Sequence, residues 1–167
     1  MSVEFTEILN STNSIKNKST NEINITSPII ELEDILLFNA SCQIISNCNS
    51  IIKCPLVLVS GPKVSFTGIN FKSAIKIENV NSFTISNSTI DEIESTESAV
   101  EITNCNDVCI DHVTISKPKM PGIYILSTTT LKADYLTIQD TETTMFVCFD
   151  HSSAKITNST FKNSLGN

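Results

Sequence analysis

Apolar residues in this chain come in pairs with one residue between them, and the pairs recur in threes. Val100/Ile102, Val108/Ile110 and Val113/Ile115 form one such set. A spacing of two is the strand period, with both members of a pair on one face. A 17-residue block with this pattern aligns without gaps at 55–71, 74–90, 99–115, 122–138 and 145–161. Its apolar positions are 2, 4, 10, 12, 15 and 17. Of the 30 such positions, 28 are apolar, and the exceptions, Ser88 and Ser159, share position 15. The step from 12 to 15 is odd, so the chain must turn there for both pairs to face inward.

Each repeat therefore predicts three short strands. A five-residue turn follows the first, a tight bend the second, and a loop the third. That loop spans two residues at 72–73, eight at 91–98, and six at both 116–121 and 139–144. Three inward-facing strands in twenty-odd residues close a triangular coil, and stacked coils pair in parallel about 4.8 Å apart. The expected fold is all-β: a right-handed parallel β-helix, a single-stranded solenoid of triangular rungs with three short strands each. Five rungs are clear, and one or two irregular N-terminal ones precede them. A spacing of 2-6-2-3-2 puts these residues on no single helical face. No Asn-Gly or Asp-Gly supplies the hairpins of a β-sandwich.

Upstream, 35–51 fits the block poorly, with Leu36, Phe38, Ile44 and Ile51 in phase. Residues 22–34 read as a partial rung or edge cover. The expected organisation is an N-terminal arm or cap over 1–21 and a β-helix domain over 22–167. One rung buries six side chains at about 1.5–3 kcal/mol each, some 9–18 kcal/mol in all. Ordering about twenty residues costs at least as much, so a rung folds only between neighbours. The polar columns fit this stacking. Position 16 reads Asn70, Thr89, Thr114, Thr137 and Thr160, and Asn79 and Asn81 lie one repeat below Asn104 and Asn106. Asn tolerates the left-handed backbone, and stacked amides bond along an axis. These ladders read as stabilisation rather than recognition.

Composition narrows the function classes. The chain has 167 residues, 40% of them hydrophobic, enough for one core. Net charge is −7, and all eleven basic residues are Lys. A nucleic-acid binder needs a basic face, usually rich in Arg, so no nucleic-acid partner is expected. An anionic membrane surface is disfavoured on the same ground. No apolar run approaches the roughly 20 residues that span a bilayer, so membrane insertion is not expected. The first residues carry neither a basic nor an apolar signal region, which points to an intracellular, cytoplasmic or cytoskeleton-associated protein. Cys42, Cys48, Cys54, Cys105, Cys109 and Cys148 contain no CxxC pair. They read as free thiols packed as small hydrophobes. A zinc site built from Cys42, Cys48 and Cys54 is the minor alternative. No cofactor is expected.

Runs such as AIKIENVNSFTISNSTI and AKITNSTFKNS resemble the pectate-lyase-like superfamily in its generic repeat form. The resemblance covers roughly 55–161 and extends weakly to about residue 22. The run 156–163 also looks like the FxxN-type repeats of polymorphic surface proteins, without their Gly-Gly-Ala-Ile partner. The resemblance implies the β-helix fold but not an activity, since such folds carry lyases, glycosidases, adhesins and inert scaffolds. Pectate-lyase-like catalysis uses an Arg base, and this chain has no Arg. The Gly-His-Gly and Arg-x-Lys segments of polygalacturonases are also absent. The remaining candidates for catalysis are Asp111, His112 and Asp134, next to Tyr135. Asp111 and Asp134 share block position 13 on adjacent rungs, so they could bind Ca²⁺ or act as a glycosidase pair. A solvated bend is the plainer reading, and His151 beside Asp150 reads the same way. The expected function is a non-enzymatic scaffold for assembly or protein docking, a cytoskeletal-type assembly included. It would contact protein partners, or stack on itself, through an open C-terminal rung. A carbohydrate-binding or carbohydrate-active protein, with Tyr124 and Tyr135 outward, is the first alternative. A surface adhesin is the second.

Overall fold

The computed structural model describes residues 2–4, 15–17, 21–93, 95–128 and 130–165, and every regular element among them is a strand. β1 (Ser2–Glu4) and β2 (Ile15–Asn17) precede a partial rung of β3 (Glu22–Ile25) and β4 (Ile29–Glu31). Six full rungs follow. The first is β5 (Ile35–Phe38), β6 (Cys42–Ser46) and β7 (Ile51–Lys53). The second is β8 (Leu56–Val59), β9 (Lys63–Thr67) and β10 (Asn70–Phe71). In the third and fourth, one ten-residue strand runs through the second corner: β11 (Ala74–Glu78) with β12 (Ser82–Asp91), then β13 (Val100–Thr103) with β14 (Asp107–Ser116). The fifth is β15 (Ile123–Leu126), β16 (Thr130–Asp134) and β17 (Thr137–Gln139). The sixth is β18 (Phe146–Phe149), β19 (Ala154–Thr157) and β20 (Thr160–Lys162).

The rungs stack into three faces. Face 1 runs β1-β5-β8-β11-β13-β15-β18, all parallel. Face 2 runs from β3 through β6, β9, β12, β14 and β16 to β19, with β2 antiparallel on the outer edge of β3. Face 3 holds β4, β7, β10, the second halves of β12 and β14, then β17 and β20. The partners Phe66↔Ile85, Ile85↔Ile110, Ile110↔Ala133 and Ala133↔Ile156 step by 19, 25, 23 and 23 residues. These equal the spacings of the sequence blocks. The arm or cap expected over 1–21 falls mostly outside the described residues. Its two described strands extend faces 1 and 2.

The corners show why Asn is abundant. From the third rung to the sixth, the chain turns each corner through a residue with positive φ, between 49° and 58°. At corner 1 these are Asn79, Asn104, Ser127 and Asp150; at corner 2, Asn87, His112, Tyr135 and Asn158; at corner 3, Glu92, Lys117, Asp140 and Asn163. Left-handed backbone costs an L-residue roughly 1–2 kcal/mol, least where a short polar side chain can bond locally. In the second rung Gly68 takes corner 2 with φ 71°, where a Cβ would lie 2.3 Å from the Ser46 carbonyl oxygen.

The core lies inside the triangle. All six expected positions of blocks 99–115 and 122–138 are buried. Phe66 sits at its centre, with Phe38, Phe71 and Phe83 at ring-centroid distances of 4.9, 5.3 and 5.6 Å. A seventh inward column runs along corner 1, where Val80, Cys105 and Thr128 are buried.

Two expected registers are corrected. In block 55–71 the inward pair is Val57 and Val59, not Leu56 and Leu58, and it pairs with Ile75 and Ile77. Corner 1 of that rung is one residue shorter, and Gly61 fills it where a Cβ would lie 2.4 Å from the Ala40 carbonyl oxygen. In the first full rung Ile52, not Ile51, enters the core and pairs with Phe71. Eight residues separate Ile44 from Ile52, against five between their partners Phe66 and Phe71. The excess is the corner 47–49. There the Ser46 hydroxyl accepts from the backbone N–H groups of Cys48 and Ser50 at 3.3 and 2.9 Å.

Candidate functional site

Corner 2 brings the sequence candidates together. Asp111 and Asp134 are direct parallel partners on β14 and β16, one ladder spacing or about 4.8 Å apart. Each carboxylate is held by a different group. Asp111 Oδ1 lies 2.9 Å from His112 Nδ1. Asp134 Oδ1 accepts from Asn158 Nδ2 at 2.8 Å, Thr157 Oγ1 at 2.9 Å and its neighbour's Tyr135 N–H at 3.2 Å. Asn158 first, then Thr157, hold the Asp134 carboxyl below its usual range. A glycosidase acid needs the opposite shift. Asp134 is therefore suited to bonding along the axis rather than to proton donation.

His112 and Tyr135 share the left-handed corner position, and their rings stack at 4.4 Å and 23°. Asn87 precedes and Asn158 follows them in that column. The stack turns one face of each ring onto the other along the axis. A sugar normally stacks on a ring face. His151 is fully exposed at corner 1, with Nδ1 3.1 Å from Asp150 Oδ1. Among the described residues no three His, Cys, Asp or Glu side chains gather as a metal site would require. All six cysteines are free thiols, with Cys54 and Cys105 buried and Cys48 and Cys148 exposed.

The polar columns take these positions. Thr89, Thr114, Thr137 and Thr160 are consecutive register partners on face 3. Asn106 Nδ2 donates to Asn81 Oδ1 at 3.1 Å. Asn79 and Asn104 occupy left-handed corners, and their N–H groups donate to the carbonyls of Thr103 and Leu126 one rung on.

Other features were not anticipated. Ser88 and Ser159 interrupt the apolar pattern because each hydroxyl accepts a backbone N–H from the preceding rung, from Ile69 at 3.2 Å and Leu136 at 3.1 Å. Their shared block position was the available signal. Corner 3 carries ion pairs from Lys72 to Glu92 at 2.7 Å and to Asp91 at 3.4 Å. Beside it lies a cleft of about 780 Å³ with Ile29, Ile51 and Ile93 among its walls. Lys53, paired with Glu31 at 2.7 Å, also lines it.

The sixth rung differs from the other five. Its inward residues are Phe146, Cys148, Ala154, Ile156, Ser159 and Phe161, in register with the core below. Cys148, Ala154 and Phe161 are exposed, Phe161 by 41%. Among the described residues nothing pairs with the outer edge of β18, β19 or β20. At the other end, Ile23, Ile25 and Ile30 of the partial rung are buried.

Parallel ladders on three faces, closed by three left-handed corners, define a parallel β-solenoid. Residues 55–167 match the family described as the right-handed beta helix region, and the chain belongs to it. No curated protein and no solved structure gives a significant match. No helix among the described residues is long and apolar enough to cross a membrane.

Proposed function

We propose that this β-helix is a non-enzymatic scaffold for assembly or protein docking, with the sixth rung as its contact. One observation carries the reading: among the described residues, an apolar triangular surface is ringed by three unpaired strand edges, those of β18, β19 and β20. Unpaired edges are ready templates for further β-structure, and the exposed Phe161 and half-buried Phe146 and Ile156 supply apolar area. At corner 2 the Asp134 carboxyl is held below its usual range by Asn158 and Thr157, which favours a scaffold over a glycosidase.

Amide exchange tests the reading. In the isolated chain, β18–β20 amides should exchange far faster than those of β14, and should gain protection in any assembly. Equal protection of β18–β20 and β14 in a dilute monomer would sink the proposal.

A carbohydrate-binding role has one supporting observation. Tyr124 and Phe149 meet edge-on at 6.0 Å on the outside of face 1, and Phe149 is 55% exposed. A glycan array probed with the wild type and Phe149→Ala decides it: sugar binding that the substitution removes would favour this role.

A further inference from the structure

Face 1 carries apolar side chains on its outside as well as its inside. Among the described residues, the outward strand positions of faces 2 and 3 from β3 onward are polar except Ile29, Ile45, Ile51 and Cys109. On face 1 the middle outward column reads Leu37, Leu58, Lys76, Glu101, Tyr124 and Val147, one residue per rung. Its apolar ends lie on the first and second rungs and on the fifth and sixth, around one charged pair. Lys76 Nζ lies 3.4 Å from Glu101 Oε1 and 2.9 Å from Glu78 Oε1. From either end the order is two apolar residues, then two charges of opposite sign, then two apolar residues. We propose that face 1 docks on face 1 of a second copy, about a twofold axis that runs along the strands between the third and fourth rungs. This contact is separate from the sixth-rung edges and goes beyond the docking role proposed above.

Symmetry and charge select that axis. Sheets packed face to face keep their strands roughly aligned, and a twofold that brings one face onto its own copy lies in the interface plane. It therefore runs along the rod or along the strands. An axis along the rod sets each rung against its own copy, so Lys76 faces the partner's Lys76 and Glu101 the partner's Glu101. An axis along the strands reverses the rung order. Centred between the third and fourth rungs, it sets Lys76 against the partner's Glu101 twice over. Leu58 then faces the partner's Tyr124, and Leu37 its Val147. Moved onto the third rung, the axis sets Lys76 on Lys76; moved onto the fourth, it sets Glu101 on Glu101. Like charges opposed across an interface are costly.

The flanking columns accept the same pairing. On the corner 1 side Glu78, Thr103, Leu126 and Phe149 are consecutive register partners. Glu78 then faces the partner's Thr103, and Leu126 and Phe149 face its Ser60 and Asn39. On the corner 3 side Ile35, Leu56, Ala74, Ala99, Gly122 and Met145 carry no charge. Lys76, Glu78 and Glu101 are the charged residues of face 1 from β5 to β18, a net −1 in a chain of net −7, so mutual repulsion is small there. Glu4 of β1, the register partner of Leu37, lies beyond the six rungs that overlap. At the corner 3 rim, Glu33 and Asp34 of one copy reach the level of Glu142 of the other. Salt screens such rim charges, so the contact is best measured at moderate ionic strength. Six rungs by five residues cover about 29 by 17 Å, about 1,000 Å² for the two copies together. That is the lower end of a specific interface, so the dimer should be reversible.

Light scattering over a concentration series should show the mass rising reversibly from 18.3 kDa toward twice that value. Lys76→Glu and Glu101→Lys should each hold the chain at the monomer mass with an unchanged circular dichroism spectrum. The double exchange, Lys76→Glu with Glu101→Lys, should restore the dimer. A cross-link keeps the test decisive if a charge variant misfolds. With Cys48→Ser and Cys148→Ser in place, Leu37→Cys combined with Val147→Cys should join two chains through a bis-maleimide of about 10 Å span, the distance between stacked sheets. Either new cysteine alone should not. A monomer at every concentration, a double exchange no better than the single changes, or a cross-link from Leu37→Cys alone would overturn the inference. Each of these leaves the sixth-rung reading standing, because that reading is judged by the exchange of the β18–β20 amides.

Discussion

Phe66→Ala should divide the solenoid energetically. Phe66 is fully buried, and its ring meets those of Phe38, Phe71 and Phe83, so it joins the first, second and third rungs. A buried Phe withdraws about 150–250 Å² from water, worth roughly 4–6 kcal/mol at 25 cal/mol per Å². That is an upper bound, because the unfolded chain already hides part of this surface. Core Phe→Ala changes generally cost about 3–5 kcal/mol. A ring packed against three others belongs in the middle of that range, at about 4 kcal/mol. Stability in a stack is nearest-neighbour in character. The damage should therefore fall on the N-terminal rungs while β13–β16 keep their protection. Urea denaturation measures the total, and residue-resolved amide exchange locates it. Phe149→Ala is the control; its outward, exposed ring predicts a change within about 0.5 kcal/mol. A Phe66→Ala cost under about 1.5 kcal/mol, or equal loss of protection along the whole rod, would refute the central role of this cluster.

Other consequences are as testable. Val57→Asp should prevent folding or cost more than about 3 kcal/mol by burying a charge, whereas Leu56→Asp should be far milder. Equal costs in thermal denaturation would restore the gapless register. Thiol labelling at neutral pH should run Cys48 first, because Ser50 and then Ser46 stabilise its thiolate. Cys54 and Cys105 should come last, since burial raises their pKa; mass spectrometry of timed quenches reads the order. The Asp134 carboxyl should titrate by carbon NMR below its ordinary value of 3.8. Its folded pKa is depressed, so its contribution is present above the unfolded pKa and is lost as pH falls through the folded one. Asn158→Ala should move that midpoint upward, and an unmoved midpoint would contradict the bonding described at corner 2.

The period-2 pairs made the fold legible because inward residues such as Val100, Ile102, Val108 and Ile110 alternate with polar ones. The pattern failed where alternation itself is absent. Leu56-Val57-Leu58-Val59 is apolar throughout, so periodicity cannot choose a face. The choice was made instead by a corner shortened around Gly61. The added corner at 47–49 likewise left no mark in the apolar spacing. Position 7 was missed because Val80, Cys105 and Thr128 lie inside a turn and include a polar residue. At corner 2, shared block position was enough to predict the Asp111–Asp134 register. The bonds from Thr157 and Asn158 were not legible, because they depend on which way the Asp134 side chain turns between rungs.

The ladder hydrogen bonds all point along the rod, while the covalent chain runs across it, and this geometry governs how the molecule yields to force. Tension applied between the two chain ends cannot be shared among rungs. It concentrates on the outermost ladder, which opens bond by bond before the next one feels the load. With register steps of 23 residues at the C-terminal end, each event should release about 75 Å of chain. Single-molecule pulling should therefore record a staircase of small, regular steps that begins at the sixth rung, a mechanical fuse at one end of an otherwise stiff rod.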